Sequence, residues 1–144
     1  GIVTIPVINT EMVVIMPKDH ALKDFDSIDH KVFSQYPVLK YDKYSTLGTY
    51  TEQYFSAYNI IPDITFEFPD EESIASFVSK GFGIALVADV PCIYQDNILI
   101  KPLVANERLK QTISLAYLEN QNHSPATLRL IEFIKESYNA ESKF

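Results

Sequence analysis

The sequence has few of the residues that hold a protein together covalently or through metal ions. Among its 144 residues are one cysteine, three histidines and no tryptophan. Cys92 has no partner for a disulfide within the chain, and the cysteine and histidines lack the spacing of a zinc site. We therefore expect no metal and no cofactor, with Cys92 as a buried, inert thiol. The low cysteine content favours a reducing, cytoplasmic setting.

Basic residues are also scarce. The chain carries 12 lysines and arginines against 19 aspartates and glutamates, a formal net charge of −7 at pH 7. Because no basic block offsets this surplus, most of the surface would repel the phosphates of nucleic acid, and the chain by itself should not bind DNA. No apolar run reaches the roughly 18 residues of a membrane span, and the opening residues lack the pattern of a secretory signal. We expect no membrane contact.

Strand and helix patterns alternate along the chain, whose hydrophobic content is 47%. Thr49 and Glu52 match a capping box that would begin a helix over residues 50–58. A short helix is predicted over 27–33 and a final helix over 124–138. Apolar runs and alternation predict strands over 12–16, 37–40, 64–68, 98–101 and 112–118.

The central stretch, residues 68–87, combines a helix start, a helix end and a buried strand. Asp70 is a suitable N-cap, acidic residues follow it where the helix dipole favours negative charge, and Gly81 can supply the positive φ of a helix end. Residues 84–87 are apolar on both faces, as a central parallel strand is. Together with the preceding strand, this stretch predicts a βαβ crossover. The whole alternation predicts an α/β fold with a mostly parallel sheet and flanking helices.

Motifs for catalysis and cofactor binding fail on order and spacing. The Gly-Phe-Gly at 81–83 lacks the third glycine of a dinucleotide site and follows a helix, the reverse of the dinucleotide order. Ser45 does not stand in the GxSxG turn of serine hydrolases. The three histidines, His30 among them, are scattered, and we expect them to be surface or capping residues. With no convergent nucleophile, base or metal set, we predict that the chain is not an enzyme.

Two short loops form a candidate binding site. Each follows a predicted parallel strand and precedes a helix, at the sheet edge where exposed amides and hydroxyls hold ligands in open α/β folds. The hydroxyls suggest a small anion as the ligand. The same side chains could instead serve only as helix caps, and the sequence leaves both possibilities open. The two loops are Tyr44-Ser45-Thr46 and Phe68-Pro69-Asp70.

Three longer motifs carry a family resemblance. They are EMVVIMPKDHAL at 11–22, FEFPDEESIASFVSKGFGIALV at 66–87 and SPATLRLIEFIKE at 124–136. Their order and spacing resemble the effector-binding domain of LysR-type transcriptional regulators. The resemblance implies one lobe of a fold similar to type 2 periplasmic binding proteins, with a small-molecule effector in the cleft between two lobes. The effector contacts that it implies are Ser45, Thr46, Phe68, Pro69 and Asp70.

The resemblance also divides the chain. Residues 1–12 would be a crossover segment from a first lobe, 13–118 the second lobe, and 119–144 the C-terminal helix, which in the family packs on the first lobe. The rest of the first lobe and the N-terminal helix-turn-helix are expected outside this sequence, so DNA would be contacted only through that absent domain. The apolar face of the final helix, formed by Leu128, Ile131 and Ile134, would then need another cover. This predicts a homo-oligomer, or a helix that folds back onto its own lobe.

Two other interpretations stay open beside a metabolite-sensing regulator. One is a lobe of a solute-binding protein of a transporter, which shares the fold and would be preceded by a signal peptide instead of a helix-turn-helix. The other is an enzyme domain, such as a transferase that uses the same cleft. The absence of a convergent catalytic set speaks against the enzyme.

Overall fold

The computed structural model describes residues 1–139, and residues 140–144 of the predicted final segment lie outside this range. Strands and helices alternate through most of it. Short 3-10 helices lie at His30–Ser34, Pro91–Ile93 and Ala105–Glu107. The main elements are β1 (Ile2–Pro17), β2 (Pro37–Tyr41), α1 (Thr46–Ala57), β3 (Asp63–Phe68), α2 (Glu71–Ser79), β4 (Ala85–Ala88), β5 (Ile98–Pro102), β6 (Lys110–Leu118) and α3 (Pro125–Asn139).

The chain divides into two compact units. Unit one comprises residues 1–10 together with 110–144, and unit two comprises residues 11–109. The long strand β1 begins in unit one and continues into unit two. The chain therefore passes between the units twice, after Thr10 and after Leu109.

Most strand pairing in the described residues is antiparallel, so the prediction of a mostly parallel sheet is wrong. β1 pairs antiparallel with β4, from Met12 opposite Ala88, and with β5, from Val13 opposite Pro102, and β6 also pairs with β1. The apolar run 84–87 misled the prediction, because a strand buried on both faces has the same sequence pattern whichever way its neighbour runs.

A parallel part does exist, built around β2. β2 and β3 pair in parallel, from Pro37 opposite Asp63 to Tyr41 opposite Phe68. On its other side β2 forms a parallel bridge between Val38 and the residue before β4, Ile84. β3, α2 and the start of β4 therefore flank β2 in the order of a βαβ crossover, which confirms that local prediction.

The core of unit two lies around the apolar residues of β1, β2 and β4. All four residues of β4 and the run Met12–Met16 of β1 are buried. α2 adds three buried residues, which are Ile74, Ala75 and Val78. The apolar stripe of α2 thus packs on the sheet, as its amphipathic pattern indicates.

The start of α1 differs from the predicted capping box. The helix begins at Thr46, and its cap is Ser45, whose hydroxyl accepts a hydrogen bond from the Gly48 amide at 2.8 Å. A Cβ at Gly48 would lie 1.9 Å from the Asp42 carbonyl oxygen, so only glycine lets the first turn approach that loop. Glu52, assigned to the capping box, pairs instead with Lys40 of β2. A second local cap, Ser45, therefore replaces the predicted one, and a contact with β2 engages Glu52.

The remaining helix predictions in unit two have mixed outcomes. Asp70 caps α2 by accepting a hydrogen bond from the Ser73 amide at 2.7 Å, and Gly81 has a positive φ of 86° after the helix ends, both as predicted. The short helix predicted over 27–33 is the 3-10 turn His30–Ser34 instead. It starts later because Ile28 forms a parallel bridge with Leu103, which holds it extended.

Unit one contains β6, α3 and the first part of β1. Thr112 of β6 donates a hydrogen bond to the Asn9 side chain at 2.9 Å. The apolar face predicted for α3 is only partly covered, since Ile131 is buried while Leu128 and Phe133 are 49% and 62% exposed. Within residues 1–139, no helix combines the length and the apolar character that crossing a membrane requires.

Candidate functional site

The ends of β2, β3 and β4 meet at one edge of unit two. Tyr41 and Phe68 end their parallel strands opposite each other, and the Asp42 amide donates to the Phe68 carbonyl at 2.9 Å. The end of β4 joins them because the buried Ala88 amide donates to the Tyr41 hydroxyl at 3.1 Å. We call residues 42–46, 68–70 and 89–94, which include the loops that follow these three strands, the strand-end edge.

The loop after β2 is held by its own side chains. The Asp42 carboxylate accepts from the amides of Tyr44 and Ser45 at 2.9 and 3.0 Å. The Ser45 hydroxyl donates to the Asp42 carbonyl at 3.0 Å while it accepts from the Gly48 amide. Ser45 is thus fully occupied as a cap, whereas Thr46, the first residue of α1, is exposed. The Thr46 hydroxyl is therefore on an exposed residue, as is that of Tyr44, which is 86% exposed.

The loop after β3 carries the second predicted set. Phe68 is half-buried, and its ring packs on that of Phe77 with centroids 4.7 Å apart. Pro69 is exposed, and Asp70 is the cap of α2. Hydrogen bonds from the backbone and side chain of Ser73 lower the pKa of Asp70, so its carboxylate is charged near neutral pH. The structure therefore places all five predicted contact residues at the strand-end edge, two of them with capping roles.

A buried tyrosine joins the three strand ends, and sequence reasoning missed it. The Tyr41 side chain is 1% exposed, and its hydroxyl donates to the Glu71 carboxylate at 2.9 Å while accepting from Ala88. Burial is the main cause that raises the pKa of Tyr41, and the negative Glu71 raises it further. The available signal was a tyrosine closing an apolar strand, because a buried hydroxyl needs partners.

The third loop lines an open depression in the surface, with a volume of about 420 Å³. Its lining residues are Asp89, Val90, Pro91 and Tyr94. Cys92 in the same loop is exposed, so the expectation of a buried thiol is wrong. Partial desolvation of its sulfur, and then the negative charges of Glu71 and Glu72, raise the pKa of Cys92 above its ordinary value.

The strand-end edge is mainly acidic. Asp42, Asp70, Glu71 and Asp89 lie on it or directly next to it, against the single base Lys43. Among the described residues, no three His, Cys, Asp or Glu side chains are grouped so that they could hold a metal ion. The positive charge at this edge therefore lies on the α1 side, at Lys43 and the first helical turn, and the negative charge lies towards Glu71.

A second polar cluster in unit two involves a histidine that was expected at the surface or as a cap. His30 is half-buried, and its Nδ1 lies 2.5 Å from the carboxylate of Glu107. Tyr54 of α1 donates to the same carboxylate at 2.9 Å. No sequence pattern reveals this cluster, because Tyr54 and His30 lie 53 and 77 residues from Glu107 along the chain.

A match to a known protein family extends over all the described residues. The model of the LysR substrate binding domain matches residues 1–139. The chain belongs to the LysR substrate binding domain family.

Among curated relatives, the similar proteins are transcriptional regulators. The HTH-type transcriptional regulator SsuR of Burkholderia cenocepacia is 30% identical over 87 residues, which is 60% of this chain and 28% of the relative. The uncharacterized HTH-type transcriptional regulator YybE of Bacillus subtilis is 26% identical over 124 residues, which is 86% of this chain and 42% of the relative. The chain thus spans less than half the length of these two relatives.

Solved structures share the fold. The effector binding domain of QuiR in complex with shikimate has a TM-score of 0.85 at 24% identity, covering 96% of this chain and 66% of that one. The regulatory domain of Synechocystis PCC6803 CcmR in complex with 2-PG has a TM-score of 0.84 at 16% identity, covering 96% of this chain and 67% of that one. At these identities the likeness shows the fold alone, an α/β fold of LysR effector-binding domains.

Proposed function

We propose that this chain is the effector-binding part of a bacterial LysR-type transcriptional regulator that senses a small metabolite and thereby controls transcription. The family match over residues 1–139 carries the proposal. The curated relatives are regulators, which favours this function over a transporter's solute-binding lobe or an enzyme. The protein would act in the cytoplasm, where its DNA target lies, and would contact DNA through a helix-turn-helix like that named in its relatives.

The proposed effector site is the strand-end edge, with Ser45, Thr46, Phe68, Pro69 and Asp70 as contacts. Support comes from the parallel register that brings the ends of β2 and β3 together. Since Ser45 and Asp70 already cap helices, their contribution would be to orient the first turns, whose amides face the ligand. Thr46 would be the direct hydroxyl contact.

The proposed effector is a small anion bound on the α1 side of the edge. The first-turn amides of α1 and the Lys43 ammonium supply positive charge there, whereas the carboxylates of α2 would repel an anion on the other side. The effector would act by binding one arrangement of two lobes better than another, which shifts their populations.

Two further assignments stay predictions. The division into a crossover segment at 1–12, a second lobe at 13–118 and a final helix at 119–144 is one. Homo-oligomerisation is the other. The exposed side chains of Leu128 and Phe133 on α3 support it, because a second copy of the chain would cover this apolar surface of unit one.

A thermal-shift panel of small hydroxy-acids and phospho-acids tests the site, with shikimate and 2-PG among them. A ligand present at 100 times its dissociation constant stabilises the folded state by about 2.7 kcal/mol. For any acid that binds, Thr46→Ala should weaken binding roughly fivefold to tenfold in calorimetry, because one hydrogen bond of about 1 kcal/mol is lost. Thr49→Ala, at another exposed threonine of α1, is the control and should bind normally. Identical affinities for both variants would refute the Thr46 assignment.

A further inference from the structure

Glu107 is a carboxylate buried near the end of unit two. It closes the 3-10 helix Ala105–Glu107 and is 5% exposed. One of its oxygens accepts from the His30 amide and from the Tyr54 hydroxyl, both at 2.9 Å. The other oxygen accepts from His30 Nδ1 at 2.5 Å. Three donors thus satisfy the carboxylate, which burial would otherwise make costly.

The donors are themselves held in place by aromatic packing. The His30 ring stacks on Tyr58 with centroids 4.5 Å apart and planes 16° from parallel. The centroid of the Tyr54 ring lies 5.1 Å from that of the same Tyr58 ring and 6.1 Å from that of the Phe33 ring. Burial and the bond to Glu107 both raise the pKa of Tyr54, so its hydroxyl remains a donor. Glu107 is therefore fixed to two separate elements, α1 and the turn that begins at His30.

Glu107 lies close to the point where the chain leaves unit two. Unit two ends two residues later, at Leu109, where the chain passes into unit one. The Leu109 carbonyl in turn accepts from the Met12 amide at 2.8 Å, just after the other passage between Thr10 and Glu11. The bonds to Glu107 and the bond between Met12 and Leu109 therefore attach both connecting segments to unit two.

We propose that Glu107 is a conformational clamp that fastens the segment 105–109 to unit two and confines any rearrangement of the two units to the bonds beyond Leu109 and before Glu11. This inference goes beyond the proposed function, since the clamp holds with or without an effector. In a regulator it would make the second unit move as one body. Removing the clamp would lengthen the flexible connection and broaden the range of arrangements that the units adopt.

Spin-label distances between the units test the clamp directly. Labels are placed at Asp96→Cys in unit two and Glu132→Cys in unit one, both exposed positions, in a chain whose Cys92 is replaced by serine. We expect Glu107→Ala, which removes both acceptor oxygens, to broaden the distance distribution beyond the spread of repeat measurements. Glu52→Ala is the control, because it also removes a hydrogen-bonded carboxylate from unit two but lies away from the passages.

A milder variant keeps the test valid if Glu107→Ala does not fold. Tyr54→Phe removes one donor and leaves both His30 bonds, so it should give a smaller broadening in the same direction. Circular dichroism confirms folding of each variant. A distribution as narrow as that of the parent in every folded variant that lacks a clamp bond would overturn the proposal, as would equal broadening in Glu52→Ala.

Discussion

Replacing Tyr41 by phenylalanine removes a single oxygen atom from the point where three strand ends meet. The hydroxyl donates to Glu71 and accepts from the Ala88 amide, and Tyr41 and Ala88 are 1% and 3% exposed. The phenylalanine ring fills the same space, so no large cavity forms. The cost arises from hydrogen bonding, because a buried amide loses its partner and Glu71 loses its donor.

The magnitude follows from these two losses. A buried donor left without a partner costs about 1–3 kcal/mol, and a hydrogen bond to a charged group contributes about 1.5–3 kcal/mol. Because the two losses share one atom they do not add fully, and we expect Tyr41→Phe to lower the free energy of unfolding by about 2–4 kcal/mol. For a chain of this size that corresponds to a fall in Tm of roughly 6–12 °C.

Urea unfolding followed by circular dichroism measures this loss, with Tyr94→Phe as the matched control. The Tyr94 hydroxyl also donates to a carboxylate, that of Asp89 at 2.8 Å, but Tyr94 is 65% exposed. Water replaces the lost bond there, so the control should lose less than about 1 kcal/mol. If Tyr41→Phe costs no more than Tyr94→Phe, the hydroxyl does not hold the strand ends together.

Two further substitutions test the helix starts at the same edge. Gly48→Ala places a methyl group 1.9 Å from the Asp42 carbonyl oxygen, so we expect a loss of about 2–3 kcal/mol or more in the free energy of unfolding, and a neutral result would contradict the close approach. The pKa of Asp70 is lowered by Ser73, so its stabilising effect is present above the unfolded-state pKa of about 3.9 and is lost as pH falls through the lower folded-state value. Asp70→Asn keeps a cap but removes this charge, and unfolding measured from pH 5 to 2 should depend less steeply on pH; an unchanged slope would refute it.

Local sequence signals located much of unit two. The strands β2 and β3, the capped helix α2 and the glycine after it appear where alternation, the Asp70 cap and Gly81 predict them. These features depend on contacts within a few residues, which the sequence contains directly. The same signals also predicted two loops at one sheet edge, and the parallel register of β2 and β3 brings them together.

The start of α1 was decided by a competing local cap and a contact with β2, and the direction of β4 by its pairing with β1. Thr49 and Glu52 have the sequence spacing of a capping box. In the structure, however, Glu52 pairs with Lys40, and the helix begins at Thr46 with Ser45 as its N-cap. A local motif competes with every partner that the fold supplies, and the sequence does not show which partners are near.

The sequence by itself determined the alternating elements, the amphipathic faces and the family to which the chain belongs. Only the tertiary structure decided which strands pair antiparallel with β1, and that Tyr41 and Glu107 are the buried polar centres of unit two. The physical reason is that the burial of one face of a helix or strand produces a regular spacing of apolar residues, which can be read along the chain. The direction of a neighbouring strand, and the partner of a buried hydroxyl or carboxylate, depend instead on residues that folding brings together from distant parts of the sequence.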